Sequence, residues 1–157
     1  MRHLIFDAGT PEPAWHNVND NVMGRRSQGG CQIQHGTLVF AGLTNTQGGG
    51  SSSIPTCPVT LGLNDHTLVF LRARGDGRRY IFRFEDDRGT AYSADFDPPA
   101  ETWGRVPVTL TAFRLRFRGR WLTGPPLDPA RVIAHGLMCF DGRDGPFRLA
   151  VDRIEAC

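Results

Sequence analysis

What most limits the architecture open to this chain is a two-residue period in short apolar runs, each ended by glycine, proline or aspartate. Arg79 to Glu85 sets Tyr80, Phe82 and Phe84 against Arg79, Ile81, Arg83 and Glu85. Tyr92, Ala94 and Phe96 repeat the pattern, as do Val106, Val108 and Leu110. Near the end, Phe147, Leu149 and Val151 oppose Arg148, Ala150 and Asp152. Side chains along a strand point alternately to its two faces, so these runs specify strands with one buried face. Thr37-Leu38-Val39-Phe40-Ala41 lies between Gly36 and Gly42. Thr67 to Ala73 holds the unbroken run Leu68-Val69-Phe70-Leu71, which predicts a strand covered on both faces.

Turn chemistry separates the runs. Gly75-Asp76-Gly77 links two strands, and Asp86-Asp87-Arg88-Gly89 links the next two. Asp97-Pro98-Pro99 and Asp141-Gly142-Arg143-Asp144-Gly145-Pro146 are further breakers. The 19 glycines and 11 prolines fall between apolar runs, as turns do, and not in a low-complexity tract. Helical signals are few: Asp128-Pro129 reads as an N-cap with proline at the first helical position, and His135-Gly136 limits that helix to a turn or two. The expected fold is all-β, an antiparallel sandwich with at most one or two short helical turns. At 157 residues, the chain is expected to form a single domain over 1–157.

Several chemistries are excluded. All 18 basic residues are arginine, so a P-loop, a pyridoxal-phosphate Schiff base and a protein-kinase site are absent. The net charge of +2 gives no bulk attraction for nucleic acid or membranes. No apolar stretch approaches the roughly 18 residues of a membrane-spanning helix. Cys31, Cys57, Cys139 and Cys157 match no zinc or redox spacing and read as free thiols in a reducing compartment, Cys157 being mobile at the chain end. The five histidines form no i,i+4 pair. Gly75-Asp76-Gly77 lacks the third glycine of a dinucleotide fingerprint and joins two strands, so it is a hairpin turn. Gly48-Gly49-Gly50-Ser51-Ser52-Ser53 is not a nucleophile elbow. No catalytic group, metal set or cofactor motif is assigned. The clusters Glu85-Asp86-Asp87, Asp95 with Asp97, and Asp141 with Asp144 leave calcium open, although turns favour aspartate for local hydrogen bonding.

Two constellations exceed housekeeping. Trp15-His16-Asn17-Val18-Asn19-Asp20-Asn21-Val22-Met23-Gly24 mixes large apolar residues with amides and follows no regular period. It reads either as a polar plug pinning an irregular segment or as a loop contacting a ligand or partner. In Arg114-Leu115-Arg116-Phe117-Arg118-Gly119-Arg120, alternate arginines put four guanidiniums on one face of an extended strand. That stripe is either a clamp for carboxylates or phosphates or a solvated face that discourages edge pairing. Arg118, followed by Gly119, is the member expected to turn inward.

Trp15 to Ser27 (WHNVNDNVMGRRS) resembles the opening signature of the complex I intermediate-associated protein family, the NADH:ubiquinone oxidoreductase assembly-factor domain. Phe40-Ala41-Gly42-Leu43, the Gly48 to Ser52 segment and the Arg74-Gly75-Asp76-Gly77-Arg78-Arg79-Tyr80 core follow in the family's order. Trp103, Phe117-Arg118-Gly119-Arg120 and the closing strand from Gly145 to Ile154 complete it. The resemblance implies a galactose-binding-like jelly roll that acts by binding, as an assembly factor or chaperone with a respiratory-complex subunit or assembly intermediate as partner. It departs from the family pattern at Arg25, Gly50 and Ile54-Pro55, on the surface where a partner docks, and with no transit peptide it implies a bacterial cytoplasmic protein.

The residues expected to contact a ligand or partner are Trp15, Asn19, Asp20, Met23, Arg74, Asp76, Arg118 and Arg120. An alternative is a carbohydrate- or small-molecule-binding jelly roll in which Trp15, Trp103 and Trp121 form platforms beside Arg74 and Asn19. A third is an enzyme of cyclase or isomerase type using Asp20, Asp76 or Asp95 as general acid or base.

Overall fold

The computed structural model describes residues 3–7, 16–19, 28–34, 36–44, 50–54, 63, 66–117, 120–139 and 145–157. Within them the expected alternation becomes two antiparallel sheets. The strands are β1 (His3–Asp7), β2 (His16–Asn19), β3 (Gln28–Gln34), β4 (Thr37–Thr44), β5 (Gly50–Ile54), β6 (Leu68–Arg74) and β7 (Tyr80–Asp86). They continue as β8 (Ala91–Phe96), β9 (Trp103–Thr109), β10 (Arg114–Phe117), β11 (Arg120–Trp121), β12 (Val132–Cys139) and β13 (Gly145–Ala156). The first sheet runs β3-β4-β13-β6-β9, with β1 also paired to β13. The second runs β11-β10-β8-β7-β12-β5-β2. The all-β expectation holds, and helix among the described residues amounts to two short 3-10 turns, Leu110–Ala112 and Pro129–Arg131. The second is capped as the sequence predicts, the Asp128 carboxylate accepting from the Ala130 N–H at 3.1 Å.

The inward faces of the two sheets form one core. Leu38 and Phe40 of β4, Val69, Leu71 and Ala73 of β6, and Phe147, Leu149 and Val151 of β13 meet Tyr80, Phe82 and Phe84 of β7 with Leu137 and Cys139 of β12. Phe82 and Phe84 pack edge-on at 5.0 Å between ring centres, and Phe84 stacks on Phe113 at 4.6 Å. A bulge between Val151 and Arg153 shifts the parity of β13, so Ile154 and Ala156 also turn inward.

The structure corrects four expectations. Gly75-Asp76-Gly77 is not a hairpin turn, because β6 belongs to the first sheet and β7 to the second, so the segment carries the chain across from one layer to the other. The β6 apolar run is not covered on both faces: Val69 and Leu71 are buried, whereas Leu68 and Phe70 face outward and are half-buried. The Phe70 ring is shielded there by the Arg105 guanidinium, 3.7 Å from its centre. Nor does one strand carry the four arginines from Arg114 to Arg120. Phe117 pairs with Arg120 and Arg116 with Trp121, so the chain reverses and Arg120 belongs to a different strand from Arg114. Cys157 is not a loose end, because its N–H donates to the Leu68 carbonyl at 2.8 Å and its carbonyl accepts from the N–H groups of Thr67 and Leu68.

Candidate functional site

The outward face of the first sheet carries a row of residues set by strand register. Gln32 of β3 pairs with Val39 of β4, Val39 with Ala150 of β13, Ala150 with Arg74 of β6, and Arg74 with Trp103 of β9. Val39 and Ala150 point away from the core, yet they are only 7% and 8% exposed. They form part of the lining of a cavity of about 540 Å³ whose other residues include Gln34, Thr37, Arg74, Asp76, Glu101, Trp103 and Arg148. That volume lies within the 300–1,000 Å³ range common for small-ligand sites.

The turn between β6 and β7 braces this cavity. The Asp76 carboxylate accepts from the buried Tyr80 hydroxyl at 2.9 Å and the Arg78 N–H at 3.2 Å through one oxygen. Its other oxygen accepts from the Arg148 N–H at 2.7 Å. Burial, and then the Asp76 charge, raise the Tyr80 hydroxyl far above the ordinary phenol range, so it remains a donor. Arg78 is buried and one of its terminal nitrogens donates to the carbonyls of Gly145 and Pro146, each at 3.1 Å. Gly77 adopts φ 89°, in the left-handed region that favours glycine. The Gly-Asp-Gly-Arg-Arg-Tyr core thus staples the β6–β7 turn to the start of β13.

A second support comes from the Asp97-Pro98-Pro99 segment. A Cβ on Gly75 would lie 2.6 Å from Pro98 Cγ, and one on Gly104 would lie 2.5 Å from Pro99 Cγ, so each proline seats against a glycine. The Gly75 N–H donates to the Pro99 carbonyl at 2.7 Å, and the Glu101 N–H donates to the Gly75 carbonyl at 3.0 Å. This docking places Glu101 and Trp103 on the cavity wall. Glu101 has φ 64°, a left-handed conformation that costs a non-glycine residue about 1–2 kcal/mol.

The arginines of this face differ in their engagement. Arg72 pairs with Asp152 and its guanidinium also lies 4.9 Å from the centre of the Trp103 ring. Arg153 pairs with Glu155 at 3.2 Å. No side-chain hydrogen bond or ion pair among the described residues engages the Arg74 or Arg148 guanidinium or the Glu101 carboxylate. The cavity therefore presents two donor forks, one acceptor and an indole over an apolar floor.

Of the residues expected to form a site, the structure brings Arg74 and Asp76 together on this cavity. Trp15, Asp20, Met23 and Arg118 lie outside the described residues. Asn19 ends β2 opposite Gly50, and Arg120 opens β11; these are the two edge strands of the other sheet, with five strands between them. Trp103 is 36% exposed and lines the cavity, whereas Trp121 is exposed elsewhere, under the Arg114 guanidinium at 5.1 Å. Sequence reasoning did not assign Gln34, Thr37, Val39, Glu101, Arg148 and Ala150 to a site. The available signal was Val39 and Ala150, apolar residues whose parity directs them outward from Leu38, Phe40, Phe147 and Leu149. Asp95, the third suggested acid, is exposed on β8, away from the cavity lining. Among the described residues no cluster of three metal-ligating side chains occurs, and no helix is long and apolar enough to cross a membrane.

The fold is shared with carbohydrate-binding modules. A family 11 module of a cellulosomal cellulase of Clostridium thermocellum superposes with a TM-score of 0.71 at 14% identity, covering 99% of this chain and 94% of that one. A family 29 module complexed with cellulohexaose gives 0.58 at 8% identity, covering 99% and 89%. An agarase gives 0.68 at 12% identity, covering 99% of this chain but 24% of the much longer enzyme. These likenesses establish the jelly-roll fold. No curated protein sequence matches the chain. The family description "Complex I intermediate-associated protein 30 (CIA30)" matches residues 4–151, and the chain belongs to that family.

Proposed function

We propose that the chain is a non-catalytic binding module, a single domain over 1–157, that holds a saccharide on the outward face of its first sheet. The cavity there carries the reading: an apolar floor of Val39 and Ala150, the exposed Trp103 ring, and the unengaged polar groups of Arg74, Arg148 and Glu101. Saccharides present apolar ring faces beside hydroxyls, and an indole with planar donors and a carboxylate acceptor complements both. Binding without turnover is supported by Asp76, whose two oxygens already accept three protein donors and so offer poor geometry for a general base. A family 11 module in complex with a β-1,3-1,4-mixed-linked tetrasaccharide and a family 29 module with cellulohexaose, both of this fold, support the same class of ligand.

A second reading follows from the family: an assembly factor or chaperone in the bacterial cytoplasm that engages a respiratory-complex subunit or assembly intermediate. The two readings separate in one experiment. Calorimetric titration with a panel of neutral and acidic oligosaccharides is expected to yield saturable binding that Trp103→Ala weakens about tenfold. Absence of binding across the panel, or binding indifferent to Trp103→Ala, would overturn the saccharide reading. Recovery of a respiratory subunit on the immobilised protein, lost in the same variant, would favour the second.

A further inference from the structure

We infer that the preferred ligand is an acidic saccharide, with a ring carboxylate held between Arg74 and Arg148 and a neighbouring hydroxyl donated to Glu101. This deepens the saccharide reading and rests on it. The argument starts from how this sheet face distributes its charge. Arg72 and Arg153 each have a carboxylate partner on β13 itself, Asp152 and Glu155. Arg74 and Arg148 have none among the described residues, although both line the cavity.

Register brings these two close. Arg74 is directly opposite Ala150, and Arg148 lies two residues along the same strand on the same face. Such diagonal neighbours sit roughly 7–8 Å apart at the backbone, within reach of two long side chains. Two guanidiniums so placed repel one another, and a single carboxylate between them removes the repulsion and accepts from both forks.

The acids of the cavity do not fill this role. Asp76 already accepts from Tyr80, Arg78 and the Arg148 backbone, so its charge is largely engaged by the protein and is not paired with the Arg74 or Arg148 guanidinium. Glu101 is the remaining acid of the lining, and it forms no ion pair with either arginine. Its backbone is held in a strained conformation by the contact with Gly75, which fixes its position on the wall. A fixed carboxylate beside two free cations selects a ligand that carries both a negative group and a hydroxyl donor. A pyranose bearing a carboxylate meets that requirement, and the apolar floor with Trp103 accommodates its ring. A run of acidic peptide supplies the charge without the hydroxyls, so Glu101 opposes it.

The test compares three probes on the intact protein by calorimetry at fixed ionic strength: an oligogalacturonate, the same oligosaccharide with its carboxylates reduced to alcohols, and polyglutamate of similar length. The oligogalacturonate is expected to bind at least about tenfold more tightly than its reduced form. Arg74→Gln and Arg148→Gln should each remove most of that difference while leaving the thermal midpoint unchanged, since both side chains are exposed. Equal binding of the charged and reduced forms, with Trp103→Ala still harmful, would overturn this inference and leave the saccharide reading standing. Polyglutamate binding more tightly than the sugar would overturn it in favour of an acidic protein segment. Failure of both sugars to bind would overturn this inference, the saccharide reading then being decided by the wider panel.

Discussion

Asp76 takes a negative charge into a turn where three donors converge on it, and that geometry sets its energetic role. One oxygen receives the Tyr80 hydroxyl, whose buried environment offers no water to replace it. Removing the carboxylate leaves that buried hydroxyl without its acceptor, at a cost of about 1–3 kcal/mol, whereas the exposed Arg148 N–H can turn to water. Asp76→Ala is therefore expected to lower unfolding stability by about 1–3 kcal/mol in urea titration. Asp76→Asn keeps an acceptor oxygen and should lose less. A loss of binding in Asp76→Ala without loss of stability would show the residue to be a ligand contact and not a staple. The same scale limits what a sequence reveals: Asp76 was legible as important, but whether its oxygens faced ligand or protein depended on Tyr80 and Arg148, neighbours supplied by folding.

Among the elements, the strands were the most legible part, because each two-residue period is a local statement about which side is buried. The turn after β7 was equally readable: Gly89 adopts φ 78°, and the Asp86 carboxylate accepts from the N–H groups of Arg88 and Thr90, both at 2.9 Å, whereas Gly75-Asp76-Gly77 crosses between the sheets instead of closing a hairpin. The arginine series from Arg114 was misread because alternation along a sequence does not announce where a strand reverses, and Phe117 opposite Arg120 is a pairing fact. The cavity was invisible for a related reason. Its lining joins β3, β4, β6, β9 and β13, whose order in space is not their order in the chain. The proline segment offers a test at this scale. Gly104→Ala forces a methyl against Pro99 and is expected to cost about 1–3 kcal/mol. Because Trp103 is its chain neighbour, the variant should also weaken saccharide binding; a calorimetric affinity equal to wild type would show that the proline contact does not set the indole's position.

For the molecule as a whole, His135 couples stability to acidity. It is 1% exposed on β12, its register partners are Phe84 and Ile54, and its ring centre lies 6.2 Å from that of Phe82. Burial lowers its pKa from 6.5 to about 4. The unfolded chain therefore takes up a proton first as pH falls, so stability is complete above about pH 6.5 and declines toward pH 4. The loss over that window is on the order of 3 kcal/mol, at 1.36 kcal/mol per unit of pKa. His135→Leu should flatten this part of the pH profile of urea midpoints; a variant as acid-sensitive as wild type would assign the slope to other groups.

The position of β13 has a further consequence. It pairs with β1, β4 and β6, and it also supplies Arg148 and Ala150 to the cavity. The floor of the cavity is thus built on the strand that the rest of its sheet depends on, while Gln34 and Trp103 reach it from the edge strands β3 and β9. A ligand bound on that floor would tie occupancy to cooperative melting: its binding free energy would resist the opening of the entire sheet, and amide exchange in β13 is expected to slow in step with saturation.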